Sequence, residues 1–219
     1  MRVLEIGAAT GRYSHALAQK GYRVDAVELV EHNIEIFKQN TIEGEPVTIT
    51  QGNAMDLSAF ESDTYDITLL LGPMYHLFTR EDKLKALSEA IRVTKKGGII
   101  FAAYCMGDAS VLSYGFIRGE IYNIIEKCML NTETFDTFSN PWDIFELHRK
   151  EDIDKLRSEF NVTQLHFVAS DGYTNHMRET VDQMDDRMYE LYLKYHLAIC
   201  ERQDMIGYSH HTLDIFRKE

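Results

Sequence analysis

The sequence predicts an α/β fold on a mostly parallel sheet, and three observations carry that expectation. Residues 1–105 alternate short β-rich runs with helical stretches, each closed by Gly, Pro or polar punctuation. The run Ile99 to Cys105 is apolar throughout, as a parallel strand covered on both faces should be. A glycine-bearing turn, Gly7 to Gly11, follows the first strand directly and opens the first helix.

In chain order, Val3 to Ile6 reads as strand one. Thr10 to Lys20 reads as a helix with Tyr13, Ala16 and Leu17 on one side, stopped by Gly21. Strand two is Arg23 to Leu29, followed by a helix from Glu31 to Gln39. Strand three is Pro46 to Thr50, Met55 to Phe60 is a short helix or turn, and strand four is Asp66 to Leu71. The helix from Glu81 to Thr94 keeps Leu84, Leu87 and Ile91 in register, with Lys95 and Lys96 near its negative end. Strand five is Ile99 to Cys105. Beyond it, helices are expected at Tyr114 to Met129 and Lys150 to Phe160, within an insertion spanning 108–160. Val162 to Ala169 alternates as strand six. Residues 177–203 read as one long helix with Met184, Met188, Leu191, Tyr195 and Ile199 on one side, and His211 to Phe216 as a last strand. No linker composition divides the chain, so 1–219 is expected to be one domain.

Composition narrows the function. The 219 residues carry 23 Lys+Arg against 35 Asp+Glu, a net charge of −12, and 44% apolar residues suffice for a core. That charge lacks the surplus by which unspecific nucleic-acid binders neutralise phosphates. The longest apolar runs fall far short of the roughly 20 residues that span a bilayer, and no apolar signal segment opens the chain. The expected setting is cytoplasmic, without membrane or nucleic-acid partners, as a monomer or homodimer. Cys105, Cys128 and Cys200 lack CxxC spacing, so reduced thiols and no metal site are expected.

The chemistry gathers at strand ends. In Val3-Leu4-Glu5-Ile6-Gly7-Ala8-Ala9-Thr10-Gly11, glycines at 7 and 11 let backbone approach a ligand where a helix presents free N–H groups. Ala9 and Arg12 break the GxGxxG spacing of a pyrophosphate cradle, whereas ExGxxxG fits. Glu28, 17 positions after Gly11, ends strand two where a ribose diol can be gripped by two hydrogen bonds. Gly52-Asn53-Ala54-Met55-Asp56-Leu57 brings polar groups to the same edge.

With VLEIGAATG, AVEL, GNAMDL and LLLGPMYHL in place, the chain resembles the class I S-adenosylmethionine (SAM)-dependent methyltransferases, strongly over about 1–105 and by topology beyond. The resemblance implies a three-layer Rossmann-like fold, with a seven-stranded sheet whose last strand is antiparallel and a helical insertion after strand five. Residues 1–107 would be the cofactor-binding half and 161–219 the C-terminal strands and helix. It implies SAM as cofactor and in-line methyl transfer to a small molecule. Glu5, Gly7, Ala8 and Gly11 would line the methionine end. Glu28 would hold the ribose with Leu29 beside the adenine, and Asn53, Ala54 and Met55 would border the adenine. Leu71 and Gly72 would offer carbonyls to the ammonium. Ala9 in place of the common middle glycine counts as conservative, and Asn53 stands where an aspartate is usual. The family usually has one or two helices ahead of strand one, so a chain beginning at Met1 is expected to be truncated at its start and to hold its cofactor weakly or not at all.

His76 is the candidate catalytic base and Tyr75 the residue that would orient the acceptor, with a structural hydrogen-bonding His as the other reading. His210 and His211 form a second, weaker candidate pair. Trp142, Phe145, Tyr114, Phe116 and Tyr122 would line an acceptor pocket or form the insertion's own core. Glu179 to Asp186 reads as a solvated acidic face. Three alternatives remain open: a non-catalytic SAM-binding protein, a nucleotide-dependent dehydrogenase, and a protein or RNA methyltransferase.

Overall fold

The computed structural model describes residues 1–219. Strands β1 (Arg2–Ile6), β2 (Arg23–Glu28), β3 (Val47–Gln51) and β4 (Tyr65–Leu70) alternate with helices α1 (Arg12–Gln19) and α2 (Glu31–Asn40). Helix α3 (Arg80–Val93) and strand β5 (Thr94–Met106) follow. Then come α4 (Gly107–Ser110), a π-helical turn at Val111–Ile117, α5 (Ile121–Glu126), β6 (Leu147–His148), α6 (Lys150–Arg157) and β7 (Val162–Ala169). Helices α7 (Arg178–Asp182) and α8 (Asp186–Ile199) and strand β8 (His211–Lys218) complete the chain.

The strands form one sheet in the order β3-β2-β1-β4-β5-β8-β7, mostly parallel with β8 antiparallel. The two-residue β6 pairs with the end of β5 and makes an eighth strand beside the expected seven. The order reverses at β1, which lies between β2 and β4. Doubly wound sheets receive ligands at such a reversal, beyond the carboxyl ends of the strands. Chain contacts define two compact units: residues 1–103, 156–165 and 215–219, and residues 104–155 and 166–214.

The first unit is packed as its sequence pattern requires. Val3, Leu4 and Ile6 of β1, Val24, Ala26 and Val27 of β2, and Leu70 of β4 are buried between the helix layers. Strand five begins five residues earlier than its apolar run, at Thr94. The Thr68 hydroxyl donates to Thr94 Oγ1 (2.6 Å), which in turn donates to the Ala90 carbonyl (2.7 Å). Pairing with β4 then jumps from Tyr65–Thr94 to Ile67–Ile99, so residues 95–98 bulge, with Lys95 bound to Asp66 at 2.7 Å. A polar cluster locks the amino ends of the strands: Asp25 accepts from Thr48 Oγ1 (2.7 Å), Arg2 Nε (2.8 Å) and the Tyr65 hydroxyl (3.0 Å). Burial pushes the Asp25 carboxyl up, but these donors outweigh it and hold it below its ordinary value.

In the second unit three expectations change. Gly119, with φ 78°, and the π-helical turn interrupt the helix expected from Tyr114 to Met129. The helix expected over 177–203 is two helices, because the Asp185 side chain caps α8 by accepting the Met188 N–H at 2.8 Å. No α8 residue is buried, and Met188, Leu191 and Tyr195 face solvent. The insertion's core is aliphatic: Val111, Ile124 and Leu130, with Ile121, Ile125 and Met129 against them. Trp142 is 92% exposed, and Tyr122 and Phe116 are also exposed, so these three aromatics neither form that core nor line a pocket there.

Replacing Asp25 by Ala leaves three buried or half-buried donors without an acceptor. Denaturant unfolding should show a loss of about 2–3 kcal/mol at neutral pH. Because the folded-state value of Asp25 lies below the unfolded one, the part of this difference that depends on ionisation should be full above the ordinary carboxylate range and be lost as pH falls through the lower folded-state value.

Candidate functional site

The first unit carries a cavity of about 660 Å³ beyond the carboxyl ends of β1, β2 and β4, within the size range of small-molecule sites. Its floor is the β1–α1 turn. Gly7 has φ 79°, and a Cβ there would meet Pro73 Cδ at 2.8 Å, so the turn after β1 and the turn after β4 close on each other only through glycine. Gly11 has φ 91° and caps α1, and a Cβ there would meet His15 and Phe37 at 2.5–2.6 Å. Gly11 does not line the cavity. It seats α1 against α2.

Two buried carboxylates give the cavity its electrostatics. Glu28, at the end of β2, accepts from the Ala9 N–H (2.8 Å), the Val30 N–H (3.0 Å) and Asn33 Nδ2 (3.2 Å). A carboxylate has about four acceptor sites, so three protein donors leave one. One acceptor site is open on Glu28, and the longest of the three contacts, to Asn33, occupies the next. Glu5, 1% exposed in β1, accepts from the Ser14 hydroxyl. Burial pushes its carboxyl up to about 7, the Ser14 bonds opposing and the Glu28 charge adding.

Most of the residues expected from the sequence meet here. Glu5, Gly7, Ala8, Glu28, Leu29, Asn53, Ala54, Leu71, Gly72, Tyr75 and His76 all line the cavity, whereas Met55 and Gly11 do not. Asn53 Oδ1 already accepts the Met55 N–H at 3.0 Å, which leaves its amide nitrogen as the more available group. The Leu71 carbonyl accepts the Tyr75 hydroxyl at 2.7 Å, so that proton is committed and the ring is fixed. The Tyr75 and His76 rings lie 5.0 Å apart, with His76 exposed at the cavity wall. Sequence reasoning did not single out Arg12, Tyr13, Asn33 or Leu77, which also line it. Arg12 and Tyr13 sit on the first turn of α1, a position the turn motif itself marks.

Ala9 was expected to be a conservative replacement. It is not so for the backbone: Ala9 has φ 47°, a left-handed conformation that costs an L-residue with a Cβ about 1–2 kcal/mol. The Ala9 N–H bond to Glu28 holds it there.

Residues 3–98 match the methyltransferase domain family. Among curated proteins, the demethylmenaquinone methyltransferase of Clavibacter sepedonicus is 33% identical over 100 residues, 45% of this chain and 39% of that one. The ubiquinone biosynthesis O-methyltransferase of Stutzerimonas stutzeri (strain A1501) is 21% identical over 187 residues, 83% of this chain and 78% of that one. This chain's match spans about 40% of the length of the first of its curated relatives. Among solved structures, a SAM-dependent methyltransferase of Methanosarcina mazei superposes with TM-score 0.62 at 16% identity, covering 99% of this chain and 92% of that one, a likeness of fold.

Two substitutions test this geometry. Glu5→Gln removes a carboxyl that must ionise in a buried place while keeping an acceptor for Ser14. The raised acid contributes stability below about pH 4.5 that is lost as pH rises through about 7. The variant should therefore be the more stable protein above pH 7, by about 1–3 kcal/mol, in unfolding titrations across pH. Ala9→Gly should raise stability by up to about 1 kcal/mol by relieving the left-handed backbone, read as a higher Tm.

Proposed function

We propose that this protein, whose residues 3–98 match the methyltransferase domain family, is a SAM-dependent methyltransferase acting on a small-molecule acceptor, with the cofactor in the 660 Å³ cavity. One observation carries the reading. Two buried carboxylates, Glu5 and Glu28, and a glycine-closed turn converge on a single cavity at the reversal of the sheet.

The residues present fit that cofactor. SAM, when bound, supplies a methyl group on a cationic sulfonium. Glu5 and Glu28 make the cavity acidic, which suits a ligand carrying a sulfonium and an ammonium. Glu28 retains one acceptor site for a hydroxyl, and Asn53 Nδ2 and the exposed Leu29 side chain, which line the same cavity, would border the base. The backbone around Gly7 and Gly72 is approached closely because neither carries a Cβ. Glu5, poised near neutrality, gains a reason to ionise when a cation is brought beside it.

On the acceptor side, the fixed Tyr75 ring orients a substrate and His76 takes a proton from its hydroxyl or amine when the attacking atom carries one. The chain's remaining task is to hold donor and acceptor in line with water excluded. The small-molecule assignment is supported by two relatives named for demethylmenaquinone and for ubiquinone biosynthesis. A net charge of −12 argues against a polynucleotide acceptor.

Calorimetric titration with S-adenosylhomocysteine tests the donor site. The expected result is saturable binding, no binding of NADH, and a loss of about 1–3 kcal/mol of affinity in Glu28→Ala. That variant should also melt lower, because the Ala9 and Val30 N–H groups lose their acceptor. Silence with S-adenosylhomocysteine, or stabilisation by the nicotinamide cofactor instead, would overturn the reading.

A further inference from the structure

The second unit has a cavity of its own, about 370 Å³, and its chemistry is opposite to that of the first. One wall is apolar and partly aromatic: Tyr114, Ile117, Phe145 and Leu147. Arg118 and Arg178 also line it, and neither side chain makes a hydrogen bond or an ion pair within the protein. No Asp or Glu side chain lines the cavity, in a chain with twelve more acidic than basic residues.

A third positive group stands beside them. His211 Nδ1 donates to Asp171 Oδ2 at 2.8 Å, and Asp171 also accepts from the Ser209 hydroxyl and the His211 N–H. The bond to Asp171, and a further one with Cys105, push the His211 imidazole up to about 10, so it is charged at neutral pH. That charge is answered by Asp171, whereas the two guanidinium charges have no partner. His210, whose Nε2 lies 2.6 Å from the Ser113 hydroxyl, is pushed down by burial, which outweighs the opposing Asp171 charge, with His176, His211 and Arg118 adding to the downward effect. The His176 and His210 rings are 4.7 Å apart, and the Nδ1 of each is buried without a partner. Two guanidinium groups thus border a cavity whose lining offers them no anion.

A guanidinium presents a planar fork of donors that matches a carboxylate in two parallel hydrogen bonds, and it is less strongly hydrated than an ammonium. An inorganic anion would satisfy the arginines and leave the apolar wall unused. A neutral aromatic would do the reverse. We propose that this cavity is a binding site for a small aromatic carboxylate, with its ring against Tyr114, Ile117 and Phe145 and its carboxylate received by Arg118 and Arg178. The proposal concerns the second unit alone and does not require the donor-site reading.

The test is an NMR titration of the whole protein with benzoate, following the imidazole ring resonances of His176, His210 and His211. Benzoate should shift them saturably with Kd of about 1 mM or tighter. Benzyl alcohol and inorganic phosphate should each bind at least about tenfold more weakly, and Arg118→Gln and Arg178→Gln should each cost benzoate about tenfold. Both arginines are exposed, so the variants should keep the backbone spectrum of the parent. Absence of a saturable shift, equal binding of benzyl alcohol or phosphate, parental affinity in both variants, or displacement of benzoate by S-adenosylhomocysteine would each overturn the proposal.

Discussion

Glu28 binds two strand-to-helix turns together from the inside of the first unit. Its carboxylate takes the Ala9 N–H from the turn after β1 and the Val30 N–H and Asn33 amide from the start of α2. Those bonds fix the relation between neighbouring parallel strands at the end where the cavity lies. They also hold Ala9 in its left-handed conformation. A buried anion survives only when donors surround it, and here the donors are the backbone that shapes the cavity. Changing Glu28 therefore disturbs the scaffold and the site together, and loss of binding alone says little about direct contact.

Stability is given up at this end of the sheet. Glu5 is placed in a central strand where an apolar residue would pack without cost, and its carboxyl resists ionisation until about pH 7. Ala9 adds backbone strain within the cavity floor itself. The amino ends of the same strands are built differently, with the Asp25 cluster supplied with enough donors to stay ionised. A carboxyl that resists ionisation and a strained turn at one end of the sheet thus stand against a fully ionised, donor-rich network at the other.

The two cavities divide the chain's chemistry by sign. Two buried carboxylates, Glu5 and Glu28, line the one beside a single arginine, Arg12, whereas two arginines and no carboxylate line the other. Net charge, summed over the chain, conceals both. The local distribution decides which ligand each cavity admits, because the Coulomb interaction with a partly desolvated group is far stronger than with one in bulk water.

The sequence by itself determined the β1-to-β5 frame and the residues that meet at its open end, because both follow from local rules. Glycine at a strand-to-helix turn, period-3.6 helices and a doubly apolar strand are written in neighbouring positions. The tertiary structure decided what depends on distant partners. The lone acceptor site left on Glu28 is set by Ala9, Val30 and Asn33, the start of β5 by Thr68, and the strain of Ala9 by its bond to β2. It also decided the fate of the aromatics: Trp142 and Tyr122 remain in solvent, while Tyr114 and the neighbouring Arg118 share a cavity with Phe145 and Arg178 from remote segments. Hydrophobic patterning says which side chains can be buried. Which ones are, and beside what charge, is fixed only when segments far apart in the chain compete for the same surface.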